Sequence, residues 1–232
     1  MTSSSIELLR GGLIVSTQAD PASPLANPVV IAAMAQAAEL AGGAGHRIDT
    51  PAHLRAVRAV CRKPIIGIFK IVESGYEVYI TPTIESARAV AEAGADIIAI
   101  DATPRARPSG ISLGELIDRI HRELGRPVMA DTATFEEGIA AARLGADIVA
   151  TTMSGYTAAS ASRKGGPDIQ FVRELAAAVS VPIVAEGRYW EPAQVAEAFA
   201  AGAHAVVVGT AITATGWLVR KFLEGTPRGH GS

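Results

Sequence analysis

The 232-residue chain carries one cysteine, Cys61, which excludes an intrachain disulfide framework and fits a reducing cytoplasm. At the end of a predicted helix, Cys61 reads as a half-buried small hydrophobe rather than a nucleophile. Charge of one sign is also lacking. With 21 Lys and Arg against 23 Asp and Glu, the net charge of −2 offers no basic face for nucleic acid. No apolar run reaches about 18 residues without a charge or a glycine, so no membrane span is expected. The amino end, residues 1–12, has neither the basic start nor the apolar run of a signal peptide. His46, His53, His121, His204 and His230 show no metal-ligand spacing, and no His/Cys/carboxylate cluster is expected. No glycine-rich dinucleotide or Walker fingerprint opens a helix. The expectation is a site that works without metal or redox cofactor.

Aromatics make up only 5% of residues, while Ala, Val, Ile and Gly are abundant, a mix suited to buried parallel strands under closely packed helices. Eight short apolar runs recur along the chain: Leu13–Ser16, Gly45–Ile48, Ile65–Lys70, Asp96–Asp101, Val128–Asp131, Asp147–Thr151, Ile183–Glu186 and Ala205–Gly209. Helical patterns lie between them: Pro28–Ala41, Thr83–Ala93, Leu113–Leu124, Phe135–Leu144, Asp168–Val179 and Pro192–Ala201. Strand alternating with helix implies parallel strands joined by crossover helices. The phrases AGAD (93–96), LGAD (144–147) and AGAH (201–204) each close a helix with glycine and open the next strand. Eight units with no composition break predict an α/β fold of one closed (β/α)8 barrel over residues 1–232, with residues 154–166 as a long loop and residues 225–232 as a frayed tail.

Chemistry in such barrels gathers at the carboxyl ends of the strands. Here those ends carry Ser16, Gln18, Arg47, Lys70, Asp101, Asp131, Thr151, Thr152, Glu186 and Arg188, and so many polar groups at one mouth call for a polar ligand. Alternation puts Ile66, Ile68 and Lys70 on one face of the third run. A lysine partly desolvated there loses some preference for its ammonium form and becomes fit for proton transfer. The alternative is a surface lysine neutralised by Glu73. Glu186 is the matching carboxylate, facing Lys70, an arginine or a substrate hydroxyl; its alternative is an ion pair with Arg188. Asp131 and Asp101 serve a ligand or pair with Arg47, Arg105 or Arg107. Asp96 and Asp147 begin their strands and belong to the opposite, stabilising face. Gly187–Arg188 and Gly209–Thr210 follow the last two runs, where barrels of this kind cradle phosphate on backbone N–H groups.

Specific phrases then run in order across almost the whole chain: GGLIVSTQ (11–18), AMAQAAELAGGAGHRI (33–48), PIIGIFK (64–70), VYITPT (78–83), IIAIDATPRARP (97–108), ADTATFEEG (130–138), LGADIVATTMSGYT (144–157), PIVAEGR (182–188) and AVVVGTAIT (205–213). On these the sequence resembles the N-acylglucosamine-6-phosphate 2-epimerase family of sialic-acid breakdown. The resemblance implies the same barrel and interconversion of N-acetylmannosamine 6-phosphate and N-acetylglucosamine 6-phosphate at C2, with Lys70 as acid/base and Glu186 as its partner. It implies that Gln18, Arg47, Tyr79 and Asp131 hold the sugar, and that Gly187, Arg188, Gly209 and Thr210 hold the phosphate. It also implies a homodimer, with a kinase upstream and a deacetylase downstream. The chain departs from the family pattern at Ala214, where an arginine is expected, and Arg220 is the candidate to compensate. The rival readings are another cofactor-free phosphosugar epimerase or isomerase, or a barrel that binds a sugar phosphate without turning it over.

Overall fold

The computed structural model describes residues 4–227. In chain order the elements are α1 (Ser4–Glu7), β1 (Leu13–Thr17), α2 (Pro28–Leu40), β2 (Gly45–Asp49), α3 (Pro51–Val60), β3 (Ile65–Ile68), α4 (Ile84–Glu92), β4 (Ile97–Asp101) and α5 (Leu113–Arg119). There follow β5 (Val128–Asp131), α6 (Phe135–Arg143), β6 (Ile148–Ala150), α7 (Ile169–Ala178), β7 (Ile183–Glu186), α8 (Pro192–Ala200), β8 (Ala205–Val208), α9 (Thr210–Thr213) and α10 (Thr215–Leu223). The strands close in sequence order, with β1 paired in parallel to both β2 and β8. This is the expected eight-stranded barrel.

Local sequence explains where the helices begin and end. The side chains of Asn27, Thr50, Thr83, Ser112, Thr134 and Asp168 each accept a backbone N–H in the first turn of the helix they precede. Gly94, Gly145 and Gly202, the glycines of the three repeated phrases, take φ of 101°, 98° and 102°. That conformation favours glycine, and it turns the chain from helix to strand.

Strand alternation sorts the apolar residues into two cores. Ile14, Ile66, Ile68, Ile97, Ala99, Met129, Ile148, Val184 and Val207 fill the barrel interior. Ile48, Ile65, Ile98, Ile100, Val128, Val149, Ile183 and Val206 meet the helices outside. Burying one such side chain contributes roughly 1.5–3 kcal/mol, so a one-residue register slip on any strand is heavily disfavoured. The same alternation fixes which strand-end residues face inward.

Two expectations change in detail. The third strand stops at Ile68 rather than Lys70. The Phe69 N–H leaves the ladder for Thr81 Oγ1, and Lys70 pairs with Ile80 in an isolated antiparallel bridge. The helix expected over Leu113–Leu124 is α-helical to Arg119 and ends in a π turn, Ile120–Leu124, closed by Gly125 at φ 61°. The predicted loop at 154–166 holds only a short 3-10 turn, Ala158–Ser160. Of the expected tail, residues 225–227 form a turn, while 228–232, with His230, lie outside the described residues. Among the described residues no helix is long and apolar enough to cross a membrane.

Candidate active site

The carboxyl ends of the strands surround a cavity of about 510 Å³, walled by Ser16, Gln18, Arg47, Lys70, Tyr79 and Thr152 and by Glu186, Gly187, Arg188, Gly209 and Thr210. Nine of the eleven residues proposed from sequence for the ligand site are therefore at one mouth. The other two, Asp131 and Arg220, are not on its wall.

Arg47 is the centre of the floor. It sits on the inward face of β2 with 1% of its surface exposed. Its Nη1 and Nη2 donate to Asp131 Oδ1 and Oδ2 at 3.1 and 2.6 Å, and Nη1 lies 2.9 Å from Glu186 Oε2. Burial disfavours its charge, but Asp131 and Glu186 outweigh that and hold the guanidinium protonated. Asp131 is fully buried and holds both terminal nitrogens of Arg47, so in this structure it meets the arginine and not the cavity wall.

Glu186 ends β7. Thr151 locks its backbone, donating from Oγ1 to Glu186 O at 2.9 Å and accepting from Glu186 N at 3.0 Å. Thr152 Oγ1 lies 3.1 Å from Glu186 Oε2. Burial raises the pKa of Glu186 above the usual carboxylate range, with Asp131 adding to the rise and Arg47, Thr152 and Lys70 opposing it. Of the alternatives left open by sequence, the partner is Arg47; Arg188 turns away, donating to Gly166 O at 2.9 Å and to Ser154 O.

Lys70 enters from the segment after β3. Its Nζ donates to Gln18 Oε1 at 2.5 Å and lies 4.0 Å from Asp49 Oδ2, so its counter-charge is Asp49 and not Glu73. Burial lowers its pKa from 10.5; Asp49 opposes the shift and Arg47 reinforces it. Gln18 in turn donates to Ser16 Oγ at 2.8 Å, which orients the carbonyl that holds the lysine.

The opposite corner is built by the loops after β7 and β8. Gly187 takes φ 112° and Arg188 φ 59°, a sharp turn that the two bonds of Arg188 hold in place. At Gly209 a side chain would come within 3.2 Å of Ser16 Cβ, so glycine there lets β8 pass close to β1. Arg220, the candidate to compensate for Ala214, is not on the cavity wall. Ala214 lines the cavity, and one turn along α10 it is Trp217 that reaches the mouth, while Arg220 is exposed. Trp217 stacks on Trp190, with ring centroids 4.4 Å apart and planes 16° from parallel. Sequence reasoning missed this pair and Tyr156, which also lines the wall. The available signal was that both tryptophans of a tryptophan-poor chain follow the last two strands.

The remaining polar strand ends are structural. Asp101 is saturated by Thr103 N, Thr103 Oγ1 and Arg105 Nη2 at 2.9, 2.6 and 2.7 Å. Asp96 bonds Arg58 and Ile65 N, and Asp147 bonds His121 and Val128 N, at the far end of the barrel as expected. One expectation is overturned there. Ligand atoms of Glu39, His46 and Cys61 come within 4.8 Å of one another, a grouping of three elements that sequence spacing did not show. Its chemistry is that of a staple: Glu39 accepts from Arg62 N and Lys63 N at 3.0 Å each, with His46 Nε2 also 3.0 Å away.

A lysine, a carboxyl and a buried arginine on one cavity at the carboxyl ends of the strands give the arrangement of a (β/α)8-barrel enzyme. The family model described as "Putative N-acetylmannosamine-6-phosphate epimerase" matches residues 31–227, and the chain belongs to that family. A relative from Thermosynechococcus vestitus, named "Putative N-acetylmannosamine-6-phosphate 2-epimerase", is 51% identical over 215 residues, covering 93% of each chain. A relative of the same name from Caldanaerobacter subterraneus subsp. tengcongensis is 46% identical over 219 residues, 94% of this chain and 92% of its own. The solved structure of the N-acetylmannosamine-6-phosphate 2-epimerase from Clostridium perfringens superposes with a TM-score of 0.92 at 36% identity, covering 97% of this chain and 98% of that one.

Proposed function

We propose that the chain is an epimerase interconverting N-acetylmannosamine 6-phosphate and N-acetylglucosamine 6-phosphate by removal and return of the C2 proton. The observation that carries this is the entry of Lys70 and Glu186 from opposite sides into one cavity floored by Arg47. The C2 proton becomes acidic only beside a free aldehyde, so the sugar reacts in open-chain form. A base takes the proton, an enolate forms, and protonation on the other face inverts the centre. Lys70, its ammonium form disfavoured by burial, is suited to the first transfer, and Glu186, held protonated more strongly than usual, to the second. Arg47 is the donor for the enolate oxygen, preorganised by Asp131 so that it need not move as charge develops.

In this reading Gln18 and Tyr79 hold the sugar, and Gly187, Arg188, Gly209 and Thr210 hold the phosphate, whose binding energy orients the reacting end. The substrate class favours a cytoplasmic setting, as does the single buried thiol. We also infer a homodimer, supported by α10, which buries no residue and exposes Val219, Phe222 and Leu223. Light scattering tests it, and a monomer at working concentration ends it. The deciding experiment for function is an NMR time course in deuterated water with N-acetylmannosamine 6-phosphate and a chelator. Deuterium must enter C2 of both sugars, and absence of label there rejects the reading.

A further inference from the structure

The hydroxyl of Thr152 lies 2.7 Å from Asp131 Oδ1 and 3.1 Å from Glu186 Oε2. Each carboxylate accepts hydrogen bonds when ionised, and the hydroxyl has one proton to give. The surrounding charges leave that proton contested. Asp131 and Glu186 share one guanidinium, Arg47, which spends two bonds on Asp131 and reaches Glu186 with Nη1. Lys70 faces the same floor from beyond the cavity but donates to Gln18 and sits beside Asp49. Two carboxylates on one arginine carry a surplus negative charge, which an added proton relieves. Asp131 holds three donors, Arg47 twice and Thr152, so Glu186 is the one to take it.

We propose that Thr152 is a positioning residue whose hydroxyl turns between the two carboxylates as Glu186 gains and loses its proton. When Glu186 is ionised the hydroxyl donates to it, and Asp131 remains satisfied by Arg47. When Glu186 is protonated, its own O–H donates to Thr152 Oγ1, and the hydroxyl turns to donate to Asp131. No bond to the hydroxyl proton breaks; only the torsion about the Cβ–Oγ bond changes. The proton on Glu186 comes from and returns to the cavity. Thr151 pins the backbone of Glu186, so the rotation of its neighbour absorbs the change while Arg47 stays fixed. The inference rests on the epimerase reading, in which Glu186 must alternate between acid and base.

The test compares Thr152→Ser, which keeps the hydroxyl, with Thr152→Val and Thr152→Ala, two hydroxyl-free variants of different size. The carboxyl infrared band of Glu186, assigned by its loss in Glu186→Gln, is titrated in each, beside pH profiles of kcat and KM. Donation to ionised Glu186 is matched by donation to Asp131 once Glu186 is protonated, so what the hydroxyl adds is the bond it accepts from the Glu186 O–H, and losing it strengthens the acidity of Glu186 by about two- to tenfold. Both hydroxyl-free variants are expected to show that downward shift, with a fall in kcat larger than any change in KM, and Thr152→Ser to restore both. Wild-type titration and kcat in the valine and alanine variants overturn the proposal, as does a serine variant that behaves like valine. Absence of C2 exchange in the wild type rejects the epimerase reading alone, and the infrared titration then decides the hydroxyl.

Discussion

Arg47 on β2 and Asp131 on β5 are joined by two hydrogen bonds, 3.1 and 2.6 Å long, in a floor that solvent does not reach. A buried pair of this kind is costly to break from one side, because the survivor keeps its charge without its partner. Asp131→Ala is expected to lower stability by about 3–5 kcal/mol, read by urea unfolding. It also removes a negative neighbour from Glu186, so that group's pKa should fall. An alanine variant within error of wild type would show that the pair carries no load.

Lys70 must be neutral to take a proton. Since burial lowers its pKa from 10.5, the rate of C2 proton removal, read in single-turnover loss of a C2 label, should rise with pH through a midpoint below that value. Lys70→Ala is expected to cut C2 exchange by about 10²–10⁴-fold with the melting temperature unchanged. Near-normal exchange would identify another base.

Trp190 and Trp217 are the two tryptophans of the chain, and both border the cavity. Binding of the phosphorylated sugar should therefore change intrinsic tryptophan emission. Aromatic stacking contributes about 0.5–1.5 kcal/mol, so Trp217→Ala is expected to raise KM roughly two- to tenfold. Arg220→Ala, on the exposed side of α10, should leave KM where it was. A raised KM in the arginine variant would return that residue to the phosphate corner.

Glu39 ties the end of α2 to residues 62 and 63. Burial favours its neutral form, but bonds from His46, Lys63 and Arg62 win and bring its pKa down from 4.5 to about 2. A depressed carboxylate stabilises the fold above its unfolded pKa and loses that contribution as pH falls through the folded one. Stability should thus drop between pH 4.5 and about 2 more steeply in the wild type than in Glu39→Gln. Acid unfolding curves of equal slope would exclude the staple.

The barrel was legible because its signals are local: caps, helix-closing glycines and period-two alternation each specify one element. Arg47 within β2 and Glu186 at the end of β7 were legible for the same reason, since alternation fixes direction, whereas Lys70 lies two residues past the end of β3 and reaches the cavity from the following segment. The depth of Asp131 was not legible, because alternation says that a side chain points inward but not how deep it lies, and here it is fully buried against Arg47. The position of Arg220 was not legible because helical phase, set by where α10 begins, decides that Trp217 is the residue of that helix on the cavity wall. The Glu39, His46 and Cys61 grouping joins three separate elements, and no spacing along the chain encodes that meeting.

At the far end of the barrel, Ile6 and Leu9 insert into the interior core, anchored by His204 Nε2 against Ile6 O at 2.9 Å and by Gly11 N donating to His204 O at 2.8 Å. The α1 turn thus acts as a stopper, and the substrate's way in is also the product's way out. Removing residues 4–10 would uncover the lowest layer of that packed interior to water, at the end of the barrel away from the reacting centre.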